Sequence, residues 1–183
     1  MDLNEIAKLA KGVIVEIGED INREGLIDTP KRVAKSYEKI FGGYNQKPED
    51  VITTFDGEDY DEMIICKDID FYSTCEHHMQ PFFGKIHIGY IPNSKILGLS
   101  KLPRLVEIFA RRLQNQERMT MQIAKAITEL IDPEGVGVVV EGKHLCMMSR
   151  GVEKQNATMT TSYNTGSFRK ELNTRSEFLR LIK

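Results

Sequence analysis

Apolar residues at Leu3, Ile6, Ala10, Val13, Ile14 and Ile17 recur at helical spacing and predict an amphipathic helix over residues 3–18. Asp28-Thr29-Pro30 supplies a cap and a first-turn proline for a second helix, with Val33, Tyr37, Ile40 and Phe41 as its apolar face and Gly42-Gly43 as its stop. Residues 44–60 mix Pro, Gly, Asn, Asp and Glu, which predicts a loop. From Met63 the period changes to two. Ile65, Lys67, Ile69 and Phe71 fall on one face of a strand and Ile64, Cys66, Asp68 and Asp70 on the other, the strand ending in Ser73-Thr74-Cys75. Phe82 to Ile91 reads as its hairpin partner, with a turn at Pro92-Asn93-Ser94. Helices over 102–114 and 116–131 follow, closed by Asp132-Pro133-Glu134-Gly135. Val136 to Glu141 reads as a buried strand, Ala157 to Tyr163 as its hairpin partner, and Thr174 to Ile182 as a short terminal helix.

This order predicts a helical arm and linker over residues 1–60, followed by an α+β domain over 61–183. The domain is expected to hold an antiparallel four-stranded sheet with two helices on one face. A single layer of that kind leaves sheet edges unpaired, which makes association with further copies of the chain plausible. The net charge of −2 and the lack of a basic, aromatic-rich segment argue against nucleic acid as a partner. No apolar run approaches the roughly 20 residues of a membrane span. Three cysteines, with no secretory leader, point to thiols held by metal or left free in a reducing compartment; the expected location is cytoplasmic.

Two short segments concentrate the chemistry: Cys75-Glu76-His77-His78 and His144-Leu145-Cys146. Cys75 and His78, three apart, fit one tight turn aimed at one ion, and Cys146 supplies a third ligand. Three nitrogen and sulfur ligands leave a corner of a zinc site for water, the mark of a catalytic centre. His77 and His144 stand beside ligands and titrate near neutral pH. If the segment around His144 and Cys146 is extended, both side chains point to one side. A closed knot of Cys75, His77 or His78, His144 and Cys146 is the bland alternative, and histidines satisfying buried hydrogen bonds a second. Cys66 is expected to be a small packing residue and His87 a surface or half-buried one. Glu76 either orients a histidine or faces water.

Ser100-Lys101 precedes Leu102-Pro103-Arg104 at a predicted helix start, where backbone N–H groups, a hydroxyl and two cations suit a phosphate chain; solvated charges on a capped helix are the alternative. Arg150 adds a cation four residues after Cys146, or is an ordinary surface residue. Gln116-Glu117, at a helix junction, reads as a cap, although its carboxylate is also suited to the N1–H and amine of a guanine.

Taken together these residues resemble GTP cyclohydrolase I of the zinc-dependent type. The resemblance runs from Asp28 to the C-terminus through the segments DTPKRVAK, STCEHH, LGLSKLPRLVEIFARRLQNQER, HLCMMSRG and NTRSEFLRL, in that order. It implies the tunnelling fold and a homodecamer of two stacked five-membered rings with active sites at subunit interfaces. It also implies Zn2+ held by Cys75, His78 and Cys146. Ser100, Lys101, Arg104 and Arg150 are then expected on the triphosphate and ribose side, Gln116 and Glu117 on the guanine, and Arg32 on a neighbouring subunit's substrate. The resemblance reverses the cap reading of Gln116-Glu117. The implied reaction opens the imidazole ring of GTP at C8 with a zinc-activated water, releases formate and recloses to 7,8-dihydroneopterin triphosphate. His77 is assigned mainly to ring opening and His144 to proton transfers around the ribose. Asn115 departs from the apolar residue expected within that segment. Two other readings stand beside this one: a nitrile reductase of the same fold using NADPH with Cys75 as nucleophile, and a non-catalytic assembly stabilised by closed zinc sites.

Overall fold

The protein is described from a computed structural model covering residues 1–57 and 59–183. It divides into two compact units, Met1–Gly42 and Gly43–Lys183. Among the described residues no helix is long and apolar enough to cross a membrane.

The first unit is a helix pair. Asp2 caps α1 (Leu3–Glu16), its Oδ1 accepting the N–H groups of Asn4 at 2.9 Å and Glu5 at 3.2 Å. Pro30 opens α2 (Thr29–Ile40), where its missing N–H costs nothing. Tyr37 and Phe41 meet edge to face at 4.9 Å near its end. Leu9, Val13 and Ile17 recur every four residues along one stripe of the first helix and its cap, and all three are exposed.

The boundary between the units falls within a short 3-10 turn, Gly42–Asn45, after which the second unit has another, Pro48–Asp50, and a short strand β1 (Thr54–Asp56). The long hairpin β2 (Ile64–Cys75) and β3 (Pro81–Ile91) follows, then β4 (Lys95–Leu97), which pairs with β1 as a small sheet of its own. Next come α3 (Lys101–Ala110), β5 (Leu113–Gln114), α4 (Gln116–Ile131), β6 (Gly135–His144), α5 (Leu145–Met148) and β7 (Met159–Asn164). Two C-terminal helices close the chain, α6 (Gly166–Lys170) and α7 (Leu172–Leu181). The main sheet runs β5-β2-β3-β6-β7, and its four long strands are antiparallel as expected.

Four features depart from the sequence reading. Residues 44–60 are not all loop, because β1 finds a partner in β4. The first of the paired helices ends at Ala110; Leu113 and Gln114 leave it to lie parallel to Thr74 and Cys75. The face opposite α3 and α4 is partly covered as well, by Phe168 and Phe178 of the C-terminal helices. These two rings lie over the cross-strand pair Gly89 and Gly137, where no side chain stands in the way.

The fourth departure is in β2. A bulge between Cys66 and Ile69, with Asp68 at φ 60°, puts one extra residue in the strand and reverses its phase. Cys66 therefore shares the main core face with Ile69 and Phe71, while Ile65 turns to the Phe168–Phe178 cluster. Burial raises the pKa of the Cys66 thiol, which suits a packing residue. His87 lies opposite the bulge and is buried at 4% exposure, not at the surface. Its Nδ1 accepts the Asp68 N–H at 3.2 Å, which satisfies a donor that the bulge removes from the ladder.

The glycine window gives a direct test of this packing. A methyl group at position 137 would lie 2.5 Å from Phe168 Cδ1 and 3.0 Å from Phe178 Cδ1. Gly137→Ala is expected to cost about 1–3 kcal/mol of stability by overpacking, measured as a lower urea midpoint.

Candidate functional site

The turn after β2 presents the first two candidate ligands. Met79 N–H bonds the Cys75 carbonyl at 2.8 Å, and Cys75 N–H bonds the Gln80 carbonyl at 2.8 Å, so residues 75–80 form a closed turn between β2 and β3. Met79 sits at φ 53°, the left-handed conformation such a reversal needs. Cys75 Sγ lies 3.6 Å from His78 Nδ1 and 3.9 Å from His77 Nδ1.

Cys146 arrives from the end of β6, on the far side of β3 from β2. The strand β6 ends at His144 and the chain turns into α5, so the extended geometry expected of residues 144–146 is not the one found. The helical turn brings Cys146 to Cys75 and His78, with the candidate donor atoms all within 4.8 Å of one another. Burial, and then the neighbouring Cys75, push the Cys146 thiol up. Zinc–sulfur bonds of about 2.3 Å and zinc–nitrogen bonds of about 2.0–2.1 Å imply an S···N edge near 3.6 Å in a tetrahedron. The Cys75–His78 separation fits that edge, and two thiols with one imidazole are a donor set that zinc favours.

His144 is held apart from this trio. Its ring stacks on Phe82 at 4.6 Å and 5°, and its Nε2 lies 2.9 Å from Gln116 Oε1. Gln116 is almost wholly buried. Its two amide N–H groups face the carbonyls of Val140 at 3.1 Å and Met159 at 2.9 Å, with Thr161 Oγ1 sharing one of them at 3.2 Å. Carbonyls only accept, so Oε1 must be the end facing the imidazole. His144 therefore carries its proton on Nε2 when neutral, which leaves Nδ1 with the free lone pair. A side chain at residue 142 would collide with Gln116 Oε1, so Gly142 is what admits the amide. Burial lowers the pKa of His144, opposed by the carboxylate of Glu117.

Glu76 does not face water alone. Its Oε1 accepts from Asn115 Nδ2 at 2.9 Å, its Oε2 pairs with Arg118, and His77 Nε2 lies 3.7 Å away. The Arg118 hydrogen bond, opposed by partial desolvation and aided by Asn115, holds the Glu76 carboxyl below its ordinary range. Sequence reasoning left Glu76 open and did not single out Arg118. The signal was their position, each directly beside a candidate site residue.

The remaining candidates are more open. Glu117 is exposed on the first turn of α4. Ser100 and Arg104 are exposed at the first turn of α3 and Lys101 is half-buried, its N–H bonding the Gly98 carbonyl at 2.8 Å. Arg150 Nη1 reaches the Cys146 carbonyl at 3.4 Å. Arg32 belongs to the helix-pair unit, where it pairs with Asp28 at 3.4 Å.

Known proteins match this chain over nearly its whole length. The family model described as GTP cyclohydrolase I matches residues 6–183. A GTP cyclohydrolase 1 from Methylococcus capsulatus is 57% identical over 171 residues, covering 93% of this chain and 92% of that one. One from Chlorobaculum tepidum is 58% identical over 178 residues, covering 97% of this chain and 78% of that one. One from Pseudoalteromonas translucida is 54% identical over 181 residues, covering 98% of each chain. The chain belongs to the GTP cyclohydrolase I family, metal-using enzymes that convert GTP to dihydroneopterin triphosphate.

Proposed function

We propose that this chain carries out the family's reaction with zinc as its metal, held by Cys75, His78 and Cys146. The observation that carries this reading is the convergence of two thiols and one imidazole from the ends of two strands, β2 and β6, that flank β3. Among the described residues His144 is not part of that group, its Nε2 being engaged by Gln116, so the arrangement favours an open coordination position over a closed knot. A zinc ion bound there would supply a Lewis acid able to bring the pKa of water down to roughly 7.

The side chains divide the remaining work. Glu117 accepts paired hydrogen bonds from the N1–H and exocyclic amine of guanine, which fixes the base and rejects adenine. Gln116 serves the pocket from behind, as the partner of His144 Nε2. Ser100, Lys101, Arg104 and Arg150 bind the triphosphate and ribose side, with the first turn of α3 providing the frame. His77, 65% exposed, protonates N7 as water adds at C8; the ring opens to a formamide, which a second water cleaves to formate and the free amine, and closure of the pterin ring returns one water. His144, through Nδ1, moves protons during opening and rearrangement of the ribose, after which the freed amine closes the pterin ring.

The same reading makes the enzyme a homodecamer of the tunnelling fold, with Arg32 reaching a neighbouring subunit's substrate. Two observations support association. The strand β7 carries no charged or proline residue to protect its outer edge, and Leu9, Val13 and Ile17 leave an apolar stripe uncovered. Sedimentation of the purified protein as a decamer is the expected outcome; a stable monomer that turns over GTP would reject this part.

Incubation of the zinc-loaded protein with GTP should yield formate and, after oxidation, neopterin fluorescence in equal amounts. Cys75→Ser and Cys146→Ser should each lose zinc and turnover while keeping the far-UV spectrum of the parent. Collapse of the fold on loss of zinc would favour the structural-metal reading, and a requirement for NADPH the reductase one.

The Gln116–His144 contact gives a kinetic prediction. His144→Ala should lower kcat by about 10²–10⁴-fold, the range typical of a general acid–base group. Gln116→Leu should lower kcat by less, and adding it to His144→Ala should cost little more. Independent, multiplying losses would show that Gln116 does not act through the imidazole.

A further inference from the structure

Position 115 holds a polar residue where the resemblance led to an apolar one, and both ends of its amide are in use. Asn115 Oδ1 accepts the Arg118 N–H at 2.8 Å and so caps α4. Asn115 Nδ2 donates to Glu76 Oε1 at 2.9 Å. The second carboxylate oxygen of Glu76 takes Nη2 of Arg118, whose Nε donates to Gln114 Oε1 at 3.0 Å. Gln114 in turn receives the Glu76 N–H on its carbonyl at 2.9 Å. The bonds close into a ring that joins the turn after β2 to the first turn of α4.

The membership of this ring gives it functional weight. Glu76 stands between Cys75 and His77, and Asn115 directly precedes Gln116 and Glu117. We propose that Asn115 is a positioning residue which, through Glu76, locks the Cys75–His78 turn to the start of α4, holding the metal ligands and the guanine carboxylate in one frame. This rests on the assignment of Cys75, His78 and Cys146 as the zinc ligands. A plain cap would need only the oxygen of residue 115, and serine or aspartate would serve equally well. The amide nitrogen adds the donor that meets Glu76, which an apolar residue cannot supply.

Two substitutions separate the cap from the clamp. Asn115→Asp keeps a capping oxygen but turns a carboxylate toward Glu76. Glu76→Gln removes the charge that Asn115 and Arg118 share. Together they again oppose one amide to one carboxylate, with the polarity reversed and the total charge of Glu76→Gln plus Asn115→Asp equal to that of the parent. The measurement is zinc affinity by chelator competition at pH 8, with kcat/KM for GTP and the thermal midpoint of the zinc-free protein recorded alongside.

Each single variant is expected to bind zinc about 10-fold more weakly, the lower end of the loss seen when a group supporting a metal site is removed, because the clamp acts on the turn that carries Cys75 and His78 and not on a ligand atom. The midpoint should hold for Asn115→Asp, and the double variant should regain most of the lost affinity. Asn115→Ser, which caps but is too short to reach Glu76, should show the same loss and serves if Asn115→Asp does not fold. Parental zinc affinity in Asn115→Asp or Asn115→Ser, or a double variant no better than either single, would overturn the clamp. Failure of the parent protein to take up zinc would instead overturn the ligand assignment, and the clamp with it.

Discussion

Two residues of parallel strand, Leu113 and Gln114, lie against Thr74 and Cys75, and Glu76 N–H bonds the Gln114 carbonyl just beyond them. This short pairing decides where the Cys75 thiol ends up with respect to α4, because the helix starts two residues after the strand stops. Its weakness as a strand is offset by side chains. Gln114 is buried, its amide donating to the Phe109 carbonyl at 3.0 Å and to Gln122 Oε1 at 2.8 Å. Arg112 lies over the rings of Tyr44 and Phe109 and donates to the Gly43 carbonyl at 3.2 Å. A helix continued through residue 114, as periodicity suggested, would leave Cys75 without this neighbour and the site without its frame.

The parts legible in the sequence were those set by local rules. The helix start at Leu3 followed the apolar period and that at Thr29 its first-turn proline, although Asp28 makes no side-chain cap bond, and the four long strands lie where alternation, hairpin pairing and an apolar run placed them. The Cys75–His78 spacing marked a turn that does bring the two side chains together. What escaped was set by distant partners. The bulge at Asp68 depends on what β3 offers opposite it, and there His87 supplies the acceptor that the ladder lacks. Alternation read along a single strand cannot reveal an inserted residue, so Cys66 was placed on the wrong face. Likewise β1 and β5 are too short to announce themselves and exist because β4 and β2 lie beside them.

The placement of Gln116 shows the same limit at the level of a site. Its neighbour Glu117 is exposed, while Gln116 points inward and spends its whole amide on Val140, Met159, Thr161 and His144. Two adjacent polar residues at a helix start thus face opposite environments. Motif resemblance alone treats them as a pair. Only the inward contacts separate the two, leaving Gln116 beside the His144 imidazole and Glu117 free for the base that the proposed reading assigns to it.

The uneven exposure across the site also bears on its assembly. The His144 environment and the Cys75 thiol are set within one subunit, where burial and stacking already order them. The groups assigned to the charged substrate, Ser100, Arg104, Glu117 and Arg150, stand in water. Charges in bulk water attract at 4 Å with only about 1 kcal/mol, and roughly four times that where the effective dielectric falls to about 20. Selective grip on a nucleotide triphosphate therefore calls for a wall that displaces solvent from these side chains. A neighbouring subunit contributing Arg32 would supply both the wall and a further cation, so the decamer of the proposed reading would complete the half of the site that a single chain leaves open.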